Sequence, residues 1–221
     1  MRQKSFLPLI FALMGLLGSC SGYRYTQTDN PFQQYGVDSL SVPMFYNYSS
    51  LPEVSSSFTR ETYKLLTGFS GLRLRSGWST STDAVLIGII RSEEKMHDVL
   101  KAQNMRVAQG VAKDNIGDKR PDFYVPAATN VSLVVQVVVI KRPTPEELTL
   151  LRSELGPKLP PQGKILFNET FNLNTQFNRE VFDGADGSVV ATQNAGALRR
   201  TKDTLALRAA EQIRDMILYA F

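Results

Sequence analysis

The hydrophobic pattern along this chain changes period several times, and each change marks an element. Residues 37–47, VDSLSVPMFYN, put Leu40, Val42 and Met44 on one face at period two, a strand whose Pro43 signals an edge or an end. A helix follows. Ser50 and Glu53 stand at capping-box spacing, Val54, Phe58, Thr62, Leu65 and Leu66 form its inward stripe, and Gly68 stops it. A short strand over 71–76 and a stronger one over 83–92, apolar on both faces, come next. Residues 92–104 give a weak helical face through Met96, Val99 and Leu100, and 113–128 read as an exposed loop.

The strongest strand pattern is NVSLVVQVVVIKR at 130–142, with Val131, Leu133, Val135, Val137 and Val139 on one face. Thr144 as N-cap, Pro145 at the first helical position and Glu147 two residues later open a short helix that Gly156-Pro157 closes. Residues 164–177 alternate cleanly: Ile165, Phe167, Phe171, Leu173 and Phe177 oppose Asn168, Thr170, Asn172, Asn174 and Gln176. A long helix from about Gly196 to Tyr219 ends the pattern, with Leu198, Leu205, Ala209, Ile213, Met216 and Ile217 inward. The expected fold is α+β: a mostly antiparallel four-stranded sheet, two main helices on one face, and helical or loop inserts near 93–128 and 143–163.

The first residues belong to a different class. Arg2 and Lys4 precede an apolar run from Phe6 to Leu17, too short for a spanning helix and shaped like a secretory signal. The run ends on Leu17-Gly18-Ser19-Cys20, and Cys20 is the only cysteine, so it has no intrachain disulfide partner. Those four residues resemble the lipobox of bacterial lipoproteins, which implies cleavage before Cys20, acylation of its thiol, and an outer-membrane lipid anchor. Ser21, rather than an inner-membrane-retention Asp, follows. The expected organisation is a signal peptide at 1–19, a lipidated N-terminus and linker at 20–36, and one domain at 37–221. Residues 21–36 are polar and aperiodic, able to extend roughly 50–55 Å. Their Tyr23, Tyr25, Phe32 and Tyr35 fit the membrane interface, a partner, or the parent domain equally well.

Charge adds little. Losing residues 1–19 removes Arg2 and Lys4 and no acid, so the net charge of +4 falls to +2. That balance, with isolated basic pairs at 119–120 and 199–200, does not suggest nucleic-acid binding. His97 is the sole histidine, so no metal cluster, and no cofactor, is expected. GFSGL at 68–72 is not a nucleophile elbow, and DGADGS at 183–188 lacks the ligand pattern of a calcium loop. No enzymatic activity is expected. The candidate ligand-binding cations are Lys113, Lys119 and Arg120, stiffened by Pro121 and suited to phosphate. Asp114, Asp118 and Asp122 offset them, so a solvated loop is the leading reading there.

The ordered series LSVPMFYNYSSLPEVSSSFTRETYKLL, TDAVLIGII, the valine-rich strand, the polar-aromatic strand and the final helix resembles the lipopolysaccharide-assembly lipoproteins of the LptE family. Thr82-Asp83 stands where many members have Ala-Asp. The resemblance implies a non-catalytic, lipid-anchored plug within an LptD-type outer-membrane β-barrel, assisting barrel assembly and lipopolysaccharide delivery. It identifies no contact residue for lipopolysaccharide here, and the two inserts depart from the family pattern. The alternatives are a pilot or accessory lipoprotein of another outer-membrane transport machine, and a hydrolase with a non-standard site.

Overall fold

A single long strand organises the sheet. The computed structural model describes residues 28–79, 81–92, 100–108, 122–147, 163–180 and 187–221. The first strand, β1 (Thr28–Asp29), pairs parallel with β4 (Phe69–Ser70) as a small separate ribbon. The main sheet has seven strands: β2 (Ser39–Val42), β3 (Tyr46–Tyr48), β5 (Arg73–Ser76), β6 (Ala84–Arg91), β7 (Leu100–Ala108), β8 (Asp122–Lys141) and β9 (Ile165–Asn178). Along one side of β8, β6 and β7 lie end to end, both antiparallel to it. Along the other side runs β9, also antiparallel, from Ala128↔Asn178 to Ile140↔Ile165. Beyond β6, β2 and β3 again lie end to end, here parallel, and β5 is parallel to β2. Helices α1 (Val54–Leu66) and α2 (Gly187–Ala220) pack against each other, and α2 crosses β9.

The α+β class expected from the pattern holds, but the sheet exceeds four strands. Three strands are added: the strand expected over 37–47 divides at Pro43 into β2 and β3, the short strand at 71–76 joins the sheet as β5, and β7 is new. Residues 100–104, read as the end of a weak helix, begin β7, and residues 122–128, read as loop, form the first part of β8. These segments have little amphipathic signal of their own; they pair with each other, from Leu100↔Val131 to Ala108↔Asp122, so tertiary pairing overrides local propensity. The weak helical segment at 93–99 lies outside the described residues.

Odd-numbered residues of β8 from Val131 to Val139 are buried under the helices with Phe58, Leu66, Leu205, Ala209, Ile213 and Ile217. Even positions on the far face form a second cluster, in which Val138 and Ile140 meet Val85, Ile87 and Ile89. This two-sided burial explains why 83–92 reads apolar throughout. The α1 stripe is as expected at Val54, Phe58, Thr62 and Leu66, whereas Leu65 is only half-buried. Helix α2 begins nine residues earlier than its pattern suggested, because Leu198 marks the first inward position of the stripe rather than the first helical residue.

Three local expectations change. Met44 is 63% exposed, because Pro43 ends β2 and the chain turns Phe45, not Met44, into the core. The Ser50–Glu53 capping box is absent. Asn47 instead organises the entry, accepting from the Ser49 amide (2.9 Å) and hydroxyl (2.6 Å) and donating to the Leu51 carbonyl (2.8 Å). Glu53 then takes a left-handed conformation (φ 64°) and offers no side-chain cap. At the second insert the capping box does form. Glu147 Oε2 accepts from the Thr144 amide (2.7 Å), and the Glu147 amide donates to Thr144 Oγ1 (3.3 Å). Residues 145–147 are helical; the remainder of the expected helix falls on residues outside those described.

The linker is shorter than its composition suggested. Asn30 donates to the Val37 carbonyl (2.7 Å) and accepts from the Phe32 amide (3.0 Å). Phe32 is fully buried, edge-on to Phe221 at 5.2 Å. A polar, aperiodic stretch is therefore pinned by one asparagine and one aromatic ring. Residues 28–36 belong to the domain.

Candidate docking surface

The sequence-predicted site residues do not meet in a described site. Cys20, Lys113, Lys119 and Arg120 lie outside the described residues, as do His97, Asp114 and Asp118. Asp122 opens β8 instead of standing in a loop. Among the described residues, no three His, Cys, Asp or Glu side chains are grouped as metal ligands, and no helix is long and apolar enough to cross a membrane.

The residues that carry the sequence resemblance have structural roles. The Asp83 carboxylate accepts from Ser39 Oγ (2.7 Å), the Ser39 amide (3.0 Å) and the Asp38 amide (3.3 Å), with Arg142 at 3.9 Å. The Asp83 amide in turn donates to Ser39 Oγ (2.9 Å). The Ser39 hydroxyl bond, then the two amides and Arg142, hold the carboxyl below its ordinary range despite partial burial. This reciprocal pair fastens the start of β6 to the start of β2. Gly88, five residues on, lies under the Phe45 ring, which a side chain there would overlap.

The helices meet through charges. Between α1 and α2 lies a cleft of about 670 Å³, lined in part by Glu53, Ser57, Arg60, Lys202 and Asp203. Ser57 donates to Asp203 (3.1 Å) and Arg60 reaches the same carboxylate at 3.4 Å. The largely buried Lys202 donates to Glu53 (3.2 Å) and the Pro52 carbonyl (3.3 Å). Arg60 also donates to Glu61 (2.8 Å), which is the main cause lowering the Glu61 carboxyl. The pairs satisfy one another, so the cleft is a helix–helix fastening rather than an open cation site. Partners some 145 residues apart in sequence gave no local signal.

On the sheet face away from the helices, Gln136 sits on β8 between two other strands. Its carbonyl accepts from Arg91 on β6 (3.1 Å), and its amide donates to Asn168 on β9 (3.0 Å). From there Thr170, Asn172, Asn174 and Gln176 continue along β9, all exposed, beside half-buried Asn130 and Ser132 of β8. The alternation of 165–178 produces this directly: one side buries Phe167 and Leu173 under α2, the other presents amides and a hydroxyl. Between Arg91 on β6 and Lys101, which pairs with Asn130 from β7, the described residues of this face are uncharged and dense in donors and acceptors. It offers hydrogen bonding without a nucleophile or a base.

No protein-family model matches the chain, and no curated protein sequence matches it. Among solved structures, the chain is similar to rare lipoprotein B from Shewanella oneidensis, at 9% identity and TM-score 0.36, covering 80% of this chain and 97% of that one. It is also similar to lipoprotein GNA1162 from Neisseria meningitidis, at 8% identity and TM-score 0.34, covering 74% and 96%. Protein CT253 from Chlamydia trachomatis matches at 10% identity and TM-score 0.36, covering 83% and 98%. With values this low, the functional reading is carried by the chain's own residues.

Proposed function

We propose that this chain is a non-catalytic lipoprotein, anchored in the outer membrane through acylated Cys20, whose domain seats inside an LptD-type β-barrel and supports lipopolysaccharide delivery. The observation that carries the reading is the amide-lined face of β8 and β9. The interior of an outer-membrane barrel is polar, and a plug within it needs a surface rich in uncharged donors and acceptors. Asn168, Asn172, Asn174 and Gln176 supply such a surface on a rigid sheet whose other face is the core. The lipobox supplies the address. On this reading Lys113, Lys119 and Arg120 are the cations available to lipopolysaccharide phosphates.

Purification of the acylated chain from outer membranes in mild detergent tests this. A large β-barrel should co-purify in comparable amount, and depletion of the chain should leave that barrel misassembled. Normal barrel levels and normal surface lipopolysaccharide after depletion would instead assign the chain to another outer-membrane machine. Replacing Lys113, Lys119 and Arg120 together with Ala should weaken lipopolysaccharide binding, most visibly at low salt, with little change in thermal stability. Unchanged low-salt binding would remove those three residues from the site.

A further inference from the structure

The lipidation position Cys20 and the first described residue, Thr28, are close in sequence, and this bears on the orientation of the domain. Only residues 21–27 separate Cys20 from β1, a span of at most about 29 Å when fully extended. Where the chain enters the fold is therefore the end of the domain nearest the bilayer. That end can be traced. Tyr35 and Phe32 both pack edge-on against Phe221 at 5.2 Å, and Lys141 at the end of β8 donates to the Tyr35 carbonyl. The entering segment thus meets the C-terminal end of α2. The same end exposes Tyr219 (93%), Leu218 (41%) and Tyr35 (41%).

We propose that, before the domain seats in a barrel, Tyr35, Leu218 and Tyr219 form a contact with the lipid headgroup region that fixes the orientation of the domain on the membrane; this rests on the acylation of Cys20. Tyrosine suits that position because its ring takes the apolar side and its hydroxyl the wet side. Leu218 adds apolar area beside it. Exposed Met44 and Trp78 offer a competing apolar site, but they stand at the other end of β2 and β5. Trp78 lies two residues beyond the end of β5, a strand that rises about 10 Å from Arg73 to Ser76. A short tether raises the local concentration of the near end at the bilayer above that of the far end.

The chain's single tryptophan makes the test direct. The processed full chain is placed in vesicles of phosphatidylethanolamine and phosphatidylglycerol, with and without bromine on the acyl chains. Native Trp78 emission should be nearly unquenched by the brominated lipid. Tyr219→Trp, in a Trp78→Phe background, should be strongly quenched and blue-shifted. If Trp78→Phe impairs folding, the same quantity is read as the difference between Tyr219→Trp and the parent chain. Mass spectrometry of Cys20 separates the two levels of failure. Acylated protein whose tryptophan from Tyr219→Trp is unquenched overturns the orientation and leaves the anchor intact; an unacylated chain overturns both. Quenching of native Trp78 instead would assign the membrane contact to the opposite end. Emission from Tyr219→Trp that shifts only on adding purified barrel would assign this end to protein rather than lipid.

Discussion

The ring of Phe45 lies flat over Gly88, filling the space that a side chain on β6 would occupy. The two residues belong to different strand segments: Phe45 sits in the break between β2 and β3, and Gly88 at the middle of the strand along which both align. Phe45 is held there from the other side, since its amide donates to Thr59 Oγ1 on α1 (2.9 Å). The glycine is thus required for packing and not for an unusual backbone angle. Gly88→Ala should cost about 1–3 kcal/mol by overpacking, read as a lowered urea midpoint with unchanged slope. In a Phe45→Ala background the same change should cost far less, because the overlap is gone. Additive effects of the two changes would show that they do not share the space.

Asp83 makes stability depend on pH. Its carboxyl is lowered in the fold, chiefly by Ser39, so the folded state favours the ionised form. This contribution is complete above the unfolded value near pH 3.9 and is lost as pH falls through the lower folded value. Asp83→Asn replaces an acceptor that receives two amides and a hydroxyl, and should lower stability at pH 7. The gap between variant and parent should close as the pH drops below about 3.9. A constant gap down to the acid transition would mean that the charge is irrelevant and only shape matters. Glu61 and Glu147 are lowered too, by Arg60 and Lys164 respectively, so they add to acid sensitivity in both proteins.

Thr62 points its hydroxyl into the core of α1 with no hydrogen-bond partner, and the residue is 1% exposed. A buried unpaired hydroxyl costs about 1–3 kcal/mol, whereas the isosteric methyl of valine has no such penalty. Thr62→Val should therefore raise the thermal midpoint despite the lower helix propensity of valine. A lowered midpoint would imply that the hydroxyl is satisfied in solution.

These relationships also mark where sequence reading reaches. An apolar run buried on both faces revealed β6, and alternation revealed the second half of β8 and β9 with its polar face, because each has a buried side enforced by a helix or a second cluster. It found α1 and the inward stripe of α2 for the same reason. It missed β7 and the first half of β8, whose pairing is decided by each other, and the Asn47 turn, which wins over an available capping box. The exposed amides of β9 were legible as a pattern, but their continuity with Gln136 and Arg91 depends on strand order, which 165–178 does not encode. The Lys202–Glu53 and Arg60–Asp203 pairs depend on the helices running side by side. Asn30 and Phe32 turned part of an apparent linker into core, with only one aromatic to signal it.

The amide face can be tested separately from the fold beneath it. Asn172 and Asn174 are exposed on β9, on the opposite side from buried Leu173, so charge added there perturbs the surface more than the core. Asn172→Lys with Asn174→Lys should leave the unfolding free energy within about 1 kcal/mol of the parent, as solvent-face substitutions on a strand usually do. Seating two ammonium groups against a polar wall, however, removes their water without supplying carboxylate partners, a cost that uncharged amides do not incur. Barrel recovery in the co-purification should therefore fall sharply for the double variant. Asn172→Gln with Asn174→Gln keeps the amide chemistry and should retain most of it. Full barrel recovery by the lysine variant would move the docking surface elsewhere, and the charged groove between α1 and α2 would be the next surface to probe by the same comparison.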